Sequence, residues 1–183
     1  MKTPVALAVA VFACLAVHAV AGAEMPAGPV VLTVTGNIVK ANRPPYDEKR
    51  DIFFKYHKRP FDKAFAFDRA MLERLGVKEV RAEHKGWAGP KVASGPRLTD
   101  VLDAAGCRGR ALETLALDGF RFSLSKADLE ARDWVVATRA DGRPLGIGDR
   151  GPLWLVLDPP GDRPATEKEI GLGPWALFFI QCE

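Results

Sequence analysis

The side chains that most often carry out chemistry are sparse in this sequence. After residue 23 the histidines are His57 and His84, which lie far apart and show neither H-x-x-x-H nor H-E-x-x-H spacing. A zinc site needs three or four nitrogen, sulfur or oxygen ligands. We therefore interpret both histidines as surface residues and expect no metal site.

Motifs for a nucleophile or a nucleotide are missing as well. G-x-S-x-G does not occur, and Ser94-Gly95-Pro96 is interpreted as a loop that leads into a helix. Gly146-Ile147-Gly148 is followed by an aspartate and a strand, whereas the dinucleotide-binding G-x-G-x-x-G opens a helix after a strand. The residues alone indicate no catalytic centre.

Two cysteines, Cys107 and Cys182, follow the N-terminal apolar segment. An exported chain meets an oxidising compartment, where a disulfide between them is the default expectation. The alternative is two separate buried thiols. No C-x-x-C occurs, so thioredoxin-like chemistry is not expected.

The N-terminus has the pattern of a cleaved secretory signal. Lys2 precedes an apolar run over residues 5–20, and residues 21–23 form a small-x-small site that signal peptidase accepts. The alternative is a transmembrane anchor, but the run is shorter than the roughly 20 residues that a bilayer core requires. We expect residues 1–23 to be removed, leaving a periplasmic or secreted protein from Glu24 onward with no membrane span.

Charge and length limit the function classes that remain. Residues 24–183 carry 25 basic and 23 acidic side chains, which argues against a nucleic-acid surface or a polybasic membrane patch. These 160 residues are enough for one domain with a real core. We find no linker and no internal repeat, so residues 24–183 are predicted to be a single domain.

Hydrophobic periodicity predicts many short strands and a few helices, which is typical of an α+β domain. The predicted strands cover residues 29–39, 77–82, 111–118, 120–124, 134–139, 152–157 and 175–182. The predicted helices cover 67–75 and 97–105, and a third starts after Ser125 with Asp128 completing a capping box. Residues 41–60 and 84–95 are predicted to be loops.

Three stretches carry a resemblance to a known family. They are GPRLTDVLDAAG (residues 95–106), LALDGFRFSLSKADL (115–129) and ATRADGRPLGIGDRGPLWLVL (137–157), followed by a tryptophan, Trp175, at the last strand. This series resembles the oxidoreductase molybdopterin-binding domain of the sulfite oxidase superfamily. The resemblance implies a mixed-sheet, barrel-like core with short helices.

The resemblance also implies a molybdenum ligand that this chain lacks. Enzymes of the family hold the metal through a cysteine thiolate near the strand predicted at residues 77–82. Here that region reads Val80-Arg81-Ala82-Glu83, and no cysteine lies between Glu24 and Gly106. We therefore expect no molybdenum redox catalysis and, as the main hypothesis, no cofactor.

Three functions stay open at this point. The first is a periplasmic binding or accessory module, with a pocket for a small ligand or an envelope protein bordered by residues 84–95, 118–119 and 141–144. The second is an oxidoreductase that binds molybdopterin without a cysteine ligand. The third is an assembly protein that makes contact through Trp87 or Phe53-Phe54. In the second case, basic side chains would contact the pterin phosphate. The candidates are Arg81, His84, Lys85, Arg97 and Arg143. The alternative is that these are ordinary surface cations.

Overall fold

The computed structural model describes residues 23–109 and 111–183. The predicted signal peptide falls almost entirely outside these residues. Within the described part of the chain, no helix has the length and apolar character needed to cross a membrane.

Short strands and helices alternate along the described chain. The strands are β1 (Val30–Gly36), β2 (Ala64–Asp68), β3 (Lys78–Ala82), β4 (Lys91–Gly95), β5 (Leu112–Ala116), β6 (Arg121–Leu124), β7 (Asp133–Ala137), β8 (Arg139–Ala140), β9 (Arg143–Pro144), β10 (Trp154–Asp158) and β11 (Leu177–Cys182). The helices are α1 (Ile52–Tyr56), α2 (Arg69–Arg74), α3 (Leu98–Ala105), α4 (Lys126–Ala131) and α5 (Glu167–Ile170).

The largest sheet has five strands in the order β2-β1-β11-β5-β6. β1 and β11, the first and last strands of the chain, pair in parallel at its centre, and the other neighbours are antiparallel. A second sheet has the order β3-β4-β8-β9, and β7 and β10 pair with each other. These mixed sheets with short helices confirm the α+β class.

The β7–β10 pair lies between the two larger sheets. Leu153, Leu155 and Leu157 pack into the main core with β1, β2, β11 and α3. Trp154 and Val156 point the other way, into a smaller core with β3 and β4. Both faces of β10 are therefore covered, which explains why its sequence is apolar without alternation.

Local signals placed several elements correctly. α3 ends at Gly106, which has φ of 67° and takes the left-handed position that glycine favours at a helix C-terminus. At α4 the Asp128 N–H donates to Ser125 Oγ (3.1 Å), and the Asp128 carboxylate accepts from the Ser125 N–H (3.1 Å). The predicted capping box is confirmed.

Other elements depend on tertiary pairing and were missed. β4 lies in the predicted loop 84–95, where it pairs with β3 on one side and β8 on the other. The predicted helix 67–75 begins at Arg69, because β2 runs through Asp68 and the Asp68 carboxylate then accepts from the Met71 N–H (2.7 Å). α1 and α5 were not predicted either, since each is only about one turn long.

The predicted disulfide is present. Cys107 follows α3 and Cys182 ends β11, and their Cα atoms are 6.0 Å apart. The bond closes a loop of 75 residues and joins the helix to the central sheet at the C-terminal ends of β1 and β11.

Candidate functional site

One arginine is held among three of the four tryptophans of the sequence. The Arg150 guanidinium carbon lies 4.5 Å from the ring centroid of Trp87, 4.6 Å from that of Trp175 and 5.4 Å from that of Trp154. A cation over an indole face is attracted by the ring quadrupole, and the attraction grows when water is excluded. Arg150 is thus fixed from several sides by aromatic rings.

Three separate parts of the fold supply these rings. Trp154 is fully buried in β10 and forms the inner wall of the cluster. Trp175 precedes β11, and the Ala176 N–H donates to the Arg150 carbonyl (2.9 Å), which ties the two segments together. Trp87 lies in the connection between β3 and β4, and its ring stacks on His84 with centroids 5.4 Å apart.

The polar edge of Arg150 has few partners. Its Nη1 lies 3.3 Å from Asp149 Oδ1, and the Asp149 side chain is 60% exposed. Its Nε is buried, and among the described residues no group accepts a hydrogen bond from it. The Arg150 side chain keeps 17% of its surface exposed, and this exposed part is what a ligand can reach. Guanidinium edges match carboxylate and phosphate oxygens geometrically.

A cavity of about 290 Å³ opens beside this edge, with a lining that is net positive. Its cations are Lys91, Arg143 and Arg150, against the carboxylates of Asp141 and Asp149.

Asp141 already has partners of its own inside the cavity. Lys91 Nζ lies 2.9 Å from its Oδ2, and the Val92 N–H donates to its Oδ1 (2.9 Å). The Lys91 hydrogen bond, the Val92 N–H and the nearby charges of Lys91 and Arg143 hold the Asp141 pKa below its ordinary value, against the opposing effect of burial. Arg143 and Arg150 are therefore the cations left for an anionic ligand.

The cations predicted from the sequence to hold a pterin phosphate are divided among different parts of the surface. Arg143 lines the Arg150 cavity. His84 and Lys85 line a separate concavity of about 440 Å³ together with Glu167. Arg97 lies in a third, of about 360 Å³, where its Nη1 is 3.6 Å from Asp133. Arg81 is exposed on β3.

Two of the three segments predicted to border a pocket contribute to the surroundings of Arg150, and the third lines the neighbouring groove. Trp87, from residues 84–95, stacks on its guanidinium, and Arg143, from residues 141–144, shares its cavity. Asp118, from the turn 118–119, lines a groove that also includes Asp149 and Trp175.

Arg150 itself was missed, because its partners are far apart in the sequence and no spacing links them. A signal did exist in the composition. Trp87 falls in a predicted loop and Trp175 at the edge of a predicted strand, in a chain that has only four tryptophans, and large aromatic residues at such positions often mark a contact site.

The donor set does not fit a thiolate-bound molybdenum. Both cysteines of the described residues form the disulfide, and β3 supplies only Val80-Arg81-Ala82 where the resemblance would place a cysteine ligand. Within residues 23–109 and 111–183, no three His, Cys, Asp or Glu side chains are grouped so that they could hold a metal ion. We derive no chemical step through molybdopterin.

Comparison with known proteins returned no match, either among protein-family models or among curated proteins.

Proposed function

We propose that this chain is a periplasmic or secreted ligand-binding or accessory module that binds a small anion at Arg150. We further propose that it has a sulfite oxidase-like molybdopterin-domain fold and works without molybdenum redox catalysis. The observation that carries the proposal is Arg150, whose guanidinium carbon lies over the Trp87 and Trp175 rings while an exposed carboxylate is its charge partner.

Rigidity supports a binding role for this arginine. A free arginine side chain loses conformational entropy when it binds a ligand, and stacking between two indole rings removes that loss beforehand. Hydrogen bonds from a charged donor are worth about 1.5–3 kcal/mol each, more than neutral ones. A guanidinium already fixed beside a net-positive cavity is therefore suited to a carboxylate or another oxyanion.

The test is a titration of the folded protein with acetate, inorganic phosphate and sulfate, followed by tryptophan fluorescence and by calorimetry. Because three of four tryptophans lie at the site, binding is expected to change the emission. Arg150→Lys keeps the charge but loses the planar fork, and should weaken binding at least tenfold. Arg143→Gln changes an exposed side chain of the cavity and should weaken it by severalfold.

Arg132→Gln is the matched control. Arg132 is also exposed but lies in a different concavity, so its loss lowers the net charge by the same amount without touching the site. Equal weakening of binding by Arg143→Gln and Arg132→Gln would show that Arg143 acts through the net charge of the protein and not through contact with the ligand. No saturable binding of any of the three anions would overturn the proposal.

The second candidate is an oxidoreductase that binds molybdopterin without a cysteine ligand. Arg143, which lines the Arg150 cavity, is the predicted phosphate-binding cation that favours it. Molybdenum and pterin analysis of protein purified from its native compartment separates the two candidates. Near-stoichiometric pterin would support the oxidoreductase and overturn the cofactor-free module.

A further inference from the structure

An apolar groove lies beside the anion cavity. It has a volume of about 480 Å³, and its rim presents Phe120, Ile147 and Trp175. These three side chains are 50%, 82% and 45% exposed. Exposed large apolar side chains that converge on one concavity are typical of a contact site, whereas isolated ones are ordinary.

The groove and the anion cavity share a border. Asp149 lines both, Arg150 lines the cavity, and Trp175 lines the groove while it stacks on Arg150 at 4.6 Å. An apolar surface and a net-positive surface therefore meet at the Arg150–Trp175 stack. A ligand that lies across this border would place apolar atoms on one side and an anionic group on the other.

We infer that the ligand is a small amphiphilic carboxylate, with its carboxylate at the edge of Arg150 and its alkyl or aryl part in the groove. This inference rests on the proposed anion site and names the chemical class that the site takes. A neutral apolar molecule would leave the guanidinium edge unused, and a small inorganic anion would leave Phe120 and Ile147 uncovered.

Asp149 provides a further test of this inference, because its carboxylate lies where the ligand carboxylate would bind. Its Oδ1 is 3.3 Å from Arg150 Nη1 and its side chain is largely exposed, so a ligand can displace it. Asp149→Asn removes this competitor and its repulsion. We expect the variant to bind carboxylates severalfold more tightly, the opposite of what a damaged site would show.

The experiment measures the dissociation constants of acetate, butanoate, hexanoate and octanoate, with octanol as the uncharged comparison. Burial of one methylene group is worth roughly a fourfold change in affinity when it is complete, so a half-open groove should give about twofold for each carbon. Octanoate should bind at least tenfold more tightly than both acetate and octanol.

Ile147→Ser tests the groove separately from the anion site. Ile147 is mostly exposed, so its replacement should leave folding unchanged, reduce the gain per methylene and leave acetate binding as it was. Ile52→Ser is the matched control, because Ile52 is 60% exposed and lies outside the groove.

The outcomes separate the two proposals. Acetate binding without any chain-length dependence would overturn the amphiphile and leave the anion site standing. Octanol binding as tightly as octanoate would show a purely apolar site and would also overturn the amphiphilic carboxylate. Absence of binding by every carboxylate and by phosphate would overturn the anion site itself.

Discussion

Among the described residues two arginines, Arg43 and Arg150, each lie over more than one aromatic ring, and they differ in the carboxylate beside them. Arg43 lies 4.8 Å from the Phe61 ring and 5.4 Å from the Phe54 ring, and its Nη2 is 2.6 Å from Asp51, whose side chain is only 7% exposed. Arg150 has three indole rings around it but only the exposed Asp149 as a charge partner.

The difference separates a structural cation from a binding one. Asp51 also accepts from the Asp47 N–H (2.9 Å), so both carboxylate oxygens of the Arg43 pair have a hydrogen-bond donor. Removing one member of such a pair leaves a buried charge without its partner. Arg150 has the aromatic surroundings without the buried carboxylate, and this leaves its edge free for a ligand.

The two arginines also belong to opposite ends of the five-stranded sheet. Arg43 bridges to Ala64 at the start of β2, which is the end where β1 and β11 finish and where the disulfide lies. Arg59 pairs with Glu113 and reaches Gln181 near the same end. The Arg150 cluster lies before the start of β11. We expect mutations at the first end to change stability and mutations at the second to change binding.

The largest effect is expected from the disulfide. Replacing Cys107 and Cys182 with serine frees a loop of 75 residues in the unfolded chain, which should cost about 4 kcal/mol of unfolding free energy. Urea denaturation measures this loss. Anion affinity should stay at the wild-type value under native conditions, because Cys182 ends β11 and the Arg150 cluster precedes its first residue. A parallel loss of affinity would contradict the division between the two ends.

The matched substitutions Arg43→Met and Arg150→Met test the comparison directly. Arg43→Met leaves the buried Asp51 carboxylate with only the more distant and more exposed guanidinium of Arg50 (3.6 Å) and should lower the unfolding free energy by about 3 kcal/mol. Arg150→Met loses the stacking energy but also removes a buried Nε that has no described partner, so the change should stay within about 1 kcal/mol.

Urea denaturation at pH 7 and fluorescence titration with octanoate give the two measurements for these variants. Arg150→Met should abolish octanoate binding while Arg43→Met retains it. Equal losses of stability in the two variants would show that the exposed carboxylate of Asp149 is as important for folding as the buried one.

The sequence predicts the disulfide end of the sheet better than the Arg150 end. The disulfide followed from cysteine count and compartment, and α3 and the α4 capping box followed from residues close together in the chain. Arg43 lay in a predicted loop, where α1 now places Phe54 against it. Arg150 and its three tryptophans come together through the pairing of β3 with β4, the pairing of β10 with β7 and the bond from Ala176, none of which leaves a local pattern.

A smaller effect is expected from acid, and it concerns the Arg43 end. Burial alone would raise the pKa of Asp51. The Asp47 N–H and the Arg43 guanidinium lower it by more than burial raises it, so the pKa lies below the ordinary 3.8. Its contribution to stability is therefore complete above the unfolded pKa and is lost as the pH falls through the folded pKa.

The unfolding free energy at pH 7 minus that at pH 3 should be smaller in Asp51→Asn than in wild type. The asparagine cannot titrate, yet it can still accept from the Asp47 N–H, so its cost at pH 7 should be below that of Arg43→Met. Arg43→Met should also reduce the pH dependence, because the guanidinium is one of the groups that lower the Asp51 pKa. An unchanged difference in both variants would mean that other carboxylates with lowered pKa values, such as Asp68 and Glu73, account for the acid sensitivity. The Arg43 pair would then be no more tightly coupled to folding than the Arg150 pair.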